Sequence, residues 1–180
     1  EQQIARRMEF LTGHSNEELA QKYLGLVNRV RDCESRFSTE TAITEEVAKY
    51  YFKVLAHKDQ WEVARLYADP MFRQTLKETF DGKLKLSFHL GGWPFGKKIE
   101  GSEKIIKRET GEWVMLAFRL LAKFKWVRGS LVDPFRNSHE SRAARALISQ
   151  YENDVETIIS QLDTAKLEPA RRLASVPNLI

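Results

Sequence analysis

The 180 residues predict a mainly α fold, a helical domain of about six to eight helices with one small antiparallel β-hairpin packed on it. Three observations carry that expectation. Apolar residues step by three and four through most of the chain, the period of a helix with one buried face. Capping and stop residues cut this pattern into segments. One stretch, Lys83 to Leu90, instead alternates apolar and polar residues, the period of a half-buried strand.

The first segment runs to about Leu11, with Ile4, Met8 and Leu11 on one side, and Thr12-Gly13-His14 breaks it. Ser15 with Glu18 forms a capping box, hydroxyl and carboxylate each taking a backbone N–H that the first helical turn leaves unpaired. The helix it opens has the stripe Leu19, Tyr23, Leu26, Val27, Val30, Cys33 and Phe37. Thr44 caps the next helix, with Glu45 and Glu46 at the positive end of its dipole. From Tyr50 the chain reads YYFKVLAHKDQWEVARLYADPMF. Val47, Tyr50, Tyr51, Val54 and Leu55 keep helical spacing, and Trp61 and Ala64 resume it beyond His57-Lys58-Asp59, so two helices or one bent helix satisfy the pattern. This stretch reads as core and interhelix packing, with Lys53, Lys58, Glu62 and Arg65 on its outer side and Arg65 paired to Glu62 three residues before it. Asp69-Pro70 ends the run and starts a short helix of about residues 70–80, stopped before Asp81-Gly82.

In KLKLSFHL, Leu84, Leu86, Phe88 and Leu90 form one face. The expected partner is EKIIKRET, Glu103 to Thr110, joined through the glycine-rich loop GGWPFGKKIEGS. Two strands alone are marginal in water, so the hairpin must pack on helices. The next segment carries Trp113, Leu116, Ala117, Leu120, Leu121 and Phe124 on a broad apolar face and is expected to be the most buried helix. Asn137 with Glu140 resembles a second capping box, opening a helix of about 25 residues. A last helix spans about 166–175, before Pro177. No repeat, low-complexity segment or long linker divides the chain, which reads as one domain over 1–180.

The single cysteine, Cys33, lies on a buried stripe, allows no internal disulfide and cannot supply the thiolates that most iron–sulfur clusters need. That pattern fits a reducing cytoplasm. No apolar run approaches the roughly 20 residues a membrane span requires. The chain starts at Glu1 and stops on the apolar LASVPNLI, which reads as a piece of a longer polypeptide. Charge is uneven: residues 83–128 hold eleven Lys/Arg against four Asp/Glu, on an otherwise acidic frame.

Catalytic signals are sparse. His14, His57, His89 and His139 show none of the three-to-five spacing typical of paired metal ligands. Phosphate loops and serine nucleophile elbows are missing. The best binding candidates are Lys97, Lys98, Lys123, Lys125, Trp126 and Arg128, cations around a ring that can hold phosphate while the ring stacks on a base. A helix C-terminus stabilised by lysines gives the same pattern. Trp93 and Phe95, bracketed by glycines, are candidate interface residues.

YYFKVLAHKDQWEVARLYADPMF, LSFHL, WVMLAFRLLAKFKWVRGSLVDPF, LISQYENDVETII and LASVPNLI together resemble the C-terminal domain of fused indolepyruvate ferredoxin oxidoreductases, in order and over nearly the whole chain. The resemblance implies an accessory or interface domain without catalytic, cofactor or metal residues of its own. It places the chain in an enzyme that oxidatively decarboxylates aryl-2-oxoacids to acyl-CoA, its thiamine diphosphate and iron–sulfur clusters held by other domains. The implied partners are those domains, a second copy in a homo-oligomer, and ferredoxin and CoA for the full enzyme; nucleic acid and membrane are not among them. A phosphate-binding module, for CoA or nucleic acid, and a free-standing helical adaptor are the competing readings.

Overall fold

The computed structural model describes residues 1–91, 97–98 and 105–178. Trp93 and Phe95 lie outside the described residues. The architecture is mainly α: eight α-helices and two short antiparallel strand pairs among the described residues. Contacts divide the chain into two compact units. Unit 1 is Glu1–Asp59 with Trp126–Ile180, and unit 2, Gln60–Lys125, is inserted between its two halves in sequence.

Unit 1 contains α1 (Gln2–His14), α2 (Glu17–Glu34), α3 (Ala42–Leu55), α7 (His139–Gln161) and α8 (Leu167–Ala174). α1 continues through Gly13 to His14 rather than breaking at Thr12. Caps fall one residue or more from the expected places. Asn16, not Ser15, closes the start of α2, its side chain accepting from Leu19 N at 2.9 Å, and Ser138, not Asn137, does the same for α7. At α3, Glu34 reaches across from the end of α2. Its carboxylate accepts from the N–H groups of Ile43 and Thr44 and from the Thr44 hydroxyl at 2.6 to 2.9 Å, so Thr44 is buried beside the cap instead of forming it. A carboxylate at a helix N-terminus is favoured by both the unpaired donors and the dipole.

Three stacked tyrosines centre the unit 1 core. Tyr51 lies between Tyr23 and Tyr151, with ring centroids 6.0 and 5.9 Å away. Each hydroxyl has an acceptor: Ala48 O for Tyr23, Glu152 Oε1 for Tyr51 and Ala174 O for Tyr151. Buried phenols need such partners, and burial pushes all three above the ordinary tyrosine range. The α2 stripe packs as expected, although Phe37 is exposed. Cys33 is a core filler whose thiol meets Ile159 O at 3.4 Å.

Unit 2 contains α4 (Gln60–Ala68), α5 (Pro70–Thr79), β1 (Phe88–Leu90), β2 (Lys97–Lys98), β3 (Ile105–Ile106), β4 (Arg108–Thr110) and α6 (Val114–Lys123). Four residues, Ala56–Asp59, separate α3 from α4, which decides for two helices. Asp69 caps α5 by accepting from Met71 N at 2.9 Å, with Pro70 at its first position. Gly82 takes φ 93°, the left-handed region open to glycine, in the turn that follows. Phe88 pairs with Thr110 and Leu90 with Arg108, inside the expected partner segment. The strand is shorter than the alternation predicts because its partner stops at Thr110; Leu86 N then donates to the Glu112 carboxylate at 3.1 Å instead of to a ladder carbonyl.

Two further expectations are corrected in unit 2. Glu62 is 4% exposed, not on the outer side, though it does hold Arg65 at 2.7 and 2.9 Å. α6 buries Val114, Met115 and Phe118, whereas Leu116 and Leu120 of the predicted core face are exposed. The helix is apolar nearly all round, so periodicity offers two stripes. Phe118 selects one by stacking on Tyr67 at 5.3 Å and meeting Phe88 edge-on.

Candidate functional site

The opposite side of α6 faces an open groove of about 830 Å³ against α5. Leu116, Arg119, Leu120 and Lys123 line it from α6, and Pro70, Arg73, Gln74 and Lys77 from α5. Both sets step by three, four and seven, the spacing of a stripe that faces a packed neighbour. Ala68 and Ala122 add to the apolar lining, which also holds the four cations and no acidic residue. None of the four forms an ion pair with a described residue. The nearby Glu78 is held by Gln74 Nε2 at 2.8 Å. α5 itself has no buried residue. Ten residues are too few for a helix to be stable in water without packing, so α5 has an uncommitted face as well as an uncovered groove.

Unit 1 holds a different polar arrangement. Arg128 Nη2 lies 2.8 Å from Asp59 Oδ2, with the two side chains only 10% and 9% exposed. The same guanidinium donates to His14 O at 2.6 Å and meets His14 Nε2 at 2.7 Å. A guanidinium only donates, so the facing His14 nitrogen is the unprotonated one. His57 stands 3.9 Å from the same Asp59 oxygen. Burial holds its imidazole below the ordinary histidine range; Asp59 opposes that shift and Arg128 reinforces it. Asp59 is the last residue before unit 2 and Arg128 the third after it. The ion pair therefore clasps the two chain passages where unit 2 leaves and re-enters unit 1. Replacing a buried partner of this kind leaves the other charge uncompensated, which makes the arrangement a structural fastening.

Each residue of the basic segment is placed within its own unit. Lys123 lies on the groove rim. Arg128 is turned inward to Asp59 and His14 and is not a surface cation. Trp126 is 72% exposed but belongs to unit 1, whereas Lys125 is half-buried and belongs to unit 2. Lys97 and Lys98 pair through their backbone with Ile106 and Ile105. Arg73, Lys77, Arg119, Leu116 and Leu120 lie outside the sequence expectation for a site. Their signal is the one-turn repeat of cations on two separate helices, legible only once both helices are known to face one groove. Among the described residues no group of His, Cys, Asp and Glu is arranged to hold a metal ion, and no helix is long and apolar enough to cross a membrane.

A family model described as a family of unknown function, DUF6537, matches residues 1–180. No curated protein and no solved structure matches the chain.

Proposed function

The chain belongs to the DUF6537 family of unknown function, and from that premise we propose that it serves as the non-catalytic C-terminal accessory and interface domain of an indolepyruvate ferredoxin oxidoreductase. The parent enzyme oxidatively decarboxylates aryl-2-oxoacids to acyl-CoA and passes electrons to ferredoxin, with thiamine diphosphate and iron–sulfur clusters in its other domains. The sequence resemblance supports the enzyme class. The observation that carries the interface role is the uncovered apolar surface of unit 2: Leu116 is 63%, Leu120 52%, Met71 62% and Phe80 53% exposed. Large apolar patches on a folded surface mark contact sites. Fully burying an exposed side chain of this kind contributes about 1.5–3 kcal/mol, and Leu116 and Leu120, one turn apart on the groove wall and still more than half exposed, each offer part of that.

The test is removal and add-back. The enzyme truncated before this chain is expected to lose assembly, read by sedimentation, together with indolepyruvate-dependent ferredoxin reduction. Adding the 180-residue chain should restore both. Oxidation of indolepyruvate by the chain alone, or a truncated enzyme that assembles and turns over normally, overturns the reading.

One observation favours a second reading, a phosphate-binding module for CoA or nucleic acid: Lys123 stands with Arg73, Lys77 and Arg119 around one groove. Phosphate contacts weaken steeply with salt. Tryptophan fluorescence titrations with CoA and with an oligonucleotide, each at two salt concentrations, decide it, and silence at low salt removes it.

A further inference from the structure

We infer that the α5–α6 groove of unit 2 is the seat of an acidic amphipathic helix supplied by the partner on which this domain docks. The inference rests on the interface reading above and names the chemistry of the occupant. Three features of the groove converge on it.

The first is period. Leu116, Arg119, Leu120 and Lys123 on one wall, and Pro70, Arg73, Gln74 and Lys77 on the other, both follow i, i+3, i+4, i+7. That repeat is the seam one helix presents to another, and side-chain ridges of a third helix fit between such rows. Peptide-binding grooves that take an amphipathic helix are read by these same anchor spacings. The α6 seam spans about 10 Å of helix axis, which two turns of an incoming helix cover.

The second is charge. The rim is cationic on both walls, with Arg73 and Lys77 one turn apart on α5 and Arg119 and Lys123 one turn apart on α6. An occupant with leucine-like residues toward Leu116 and Leu120, flanked by Glu or Asp one turn apart, answers both rows. A basic or neutral helix leaves four cations facing like charge or partly desolvated and unpaired, which disfavours it. A phosphate ligand matches the geometry less well, because the cations are strung along two helices among apolar lining residues rather than gathered on one point.

The third is the incompleteness of α5. It is an amphipathic helix of ten residues with none buried, and Arg73, Gln74 and Lys77 on its groove side are exposed. A helix in the groove gives α5 a neighbour on the side now open.

The probe is a fluorescein-labelled 16-residue peptide, helical by design, with leucines on one face and glutamates on both flanks of that face. Its binding to the 180-residue chain is followed by anisotropy. Saturable binding is expected at micromolar peptide, weakened at least tenfold by Leu120→Glu and about threefold by each of Arg119→Glu and Lys123→Glu. Leu131→Glu, at a residue of unit 1 that is 90% exposed, should leave it unchanged. Leu120→Ala gives the same direction with less disturbance, and far-UV circular dichroism confirms that every variant keeps its helices. The inference is overturned by equal binding of a peptide with lysine for glutamate, or of one with the same composition and scrambled period. It is also overturned if Leu120→Glu instead abolishes self-association in sedimentation, or uptake by vesicles of phosphatidylcholine with one-fifth phosphatidylserine, while the acidic peptide does not bind. The assay involves no oxoacid, so it stands apart from the test of the parent enzyme: peptide binding without an assembly defect on truncation fails the earlier reading alone, and an assembly defect without peptide binding fails this one alone.

Discussion

Unit 1 and unit 2 are built from similar helices and differ in what they do with their apolar residues. The buried core of unit 1 draws on all five of its helices, from Leu11 on α1 to Ala174 on α8, and includes three tyrosines whose hydroxyls all find acceptors. The core of unit 2 is far smaller. It centres on Ala64, Phe88, Val114, Met115 and Phe118, with Phe72 of α5 packed against it, while the groove sides of α5 and α6 stay open. The contrast lies in the size of the core, not in exposure alone: Trp126, Leu131 and Val132 of unit 1 are also well exposed, but unit 1 has a large aromatic core behind them, whereas unit 2 buries little and leaves Leu116 and Leu120 open along its groove.

Substitutions break or sharpen this contrast in order of size. Tyr51→Ala, at a fully buried ring in the unit 1 stack, is expected to cost about 3–5 kcal/mol, through the cavity and the lost hydroxyl bond. Urea unfolding measures it, and a loss below 1 kcal/mol would mean that the tyrosine stack is not the centre of that core. Asp59→Ala leaves the Arg128 charge buried without its partner and should cost about 3 kcal/mol, most of which the double substitution with Arg128→Met recovers. No recovery in the double variant would show that the clasp is not the cause.

Neighbouring positions on α6 give the sharpest comparison between faces. Met115→Ala should cost about 2–4 kcal/mol, as large-to-small changes in a core do. Leu116→Ala, one residue on but exposed, should stay within about 0.5 kcal/mol. Equal losses would mean that the groove face is already covered. The smallest effect expected is on pH. His57 has a folded-state affinity for protons below that of the unfolded chain, because burial disfavours its charge. The unfolded state then binds more protons between the two values, so this residue's contribution is complete above the ordinary histidine range and is lost as pH falls through and below about 6.5. Urea midpoints at pH 7.5 and 5.5 should fall on acidification in the parent and fall less in His57→Asn; an identical fall in both removes His57 as the source.

Much of this is legible in the amino-acid sequence. Local chemistry gave the helix order, the Asp69-Pro70 start of α5, the pairing of Phe88 with the segment ending at Thr110, and the mainly α class. What escaped was set by distance or degeneracy. α6 has apolar residues on two faces, and only contact with Tyr67 and Phe88 chooses between them. Arg128 has the same sequence environment as a surface cation; its partner is Asp59, almost seventy positions earlier. Glu34 reads as the end of a helix and is in fact the cap of the next. The groove needed two helices at once, since Arg73 and Lys77 alone are an ordinary wet face.

The Asp59–Arg128 contact has a consequence for how such a chain can diversify. With the exit and return points fastened to each other inside unit 1, the path between them closes a loop whose entropic cost grows by only about 0.6 kcal/mol for each doubling of its length. The length of what is spliced between the two anchors is therefore only weakly constrained: doubling or halving the insert changes the cost of closing the loop by well under the worth of the ion pair's own neighbourhood of contacts, so insertions and deletions are cheapest at this point of the chain.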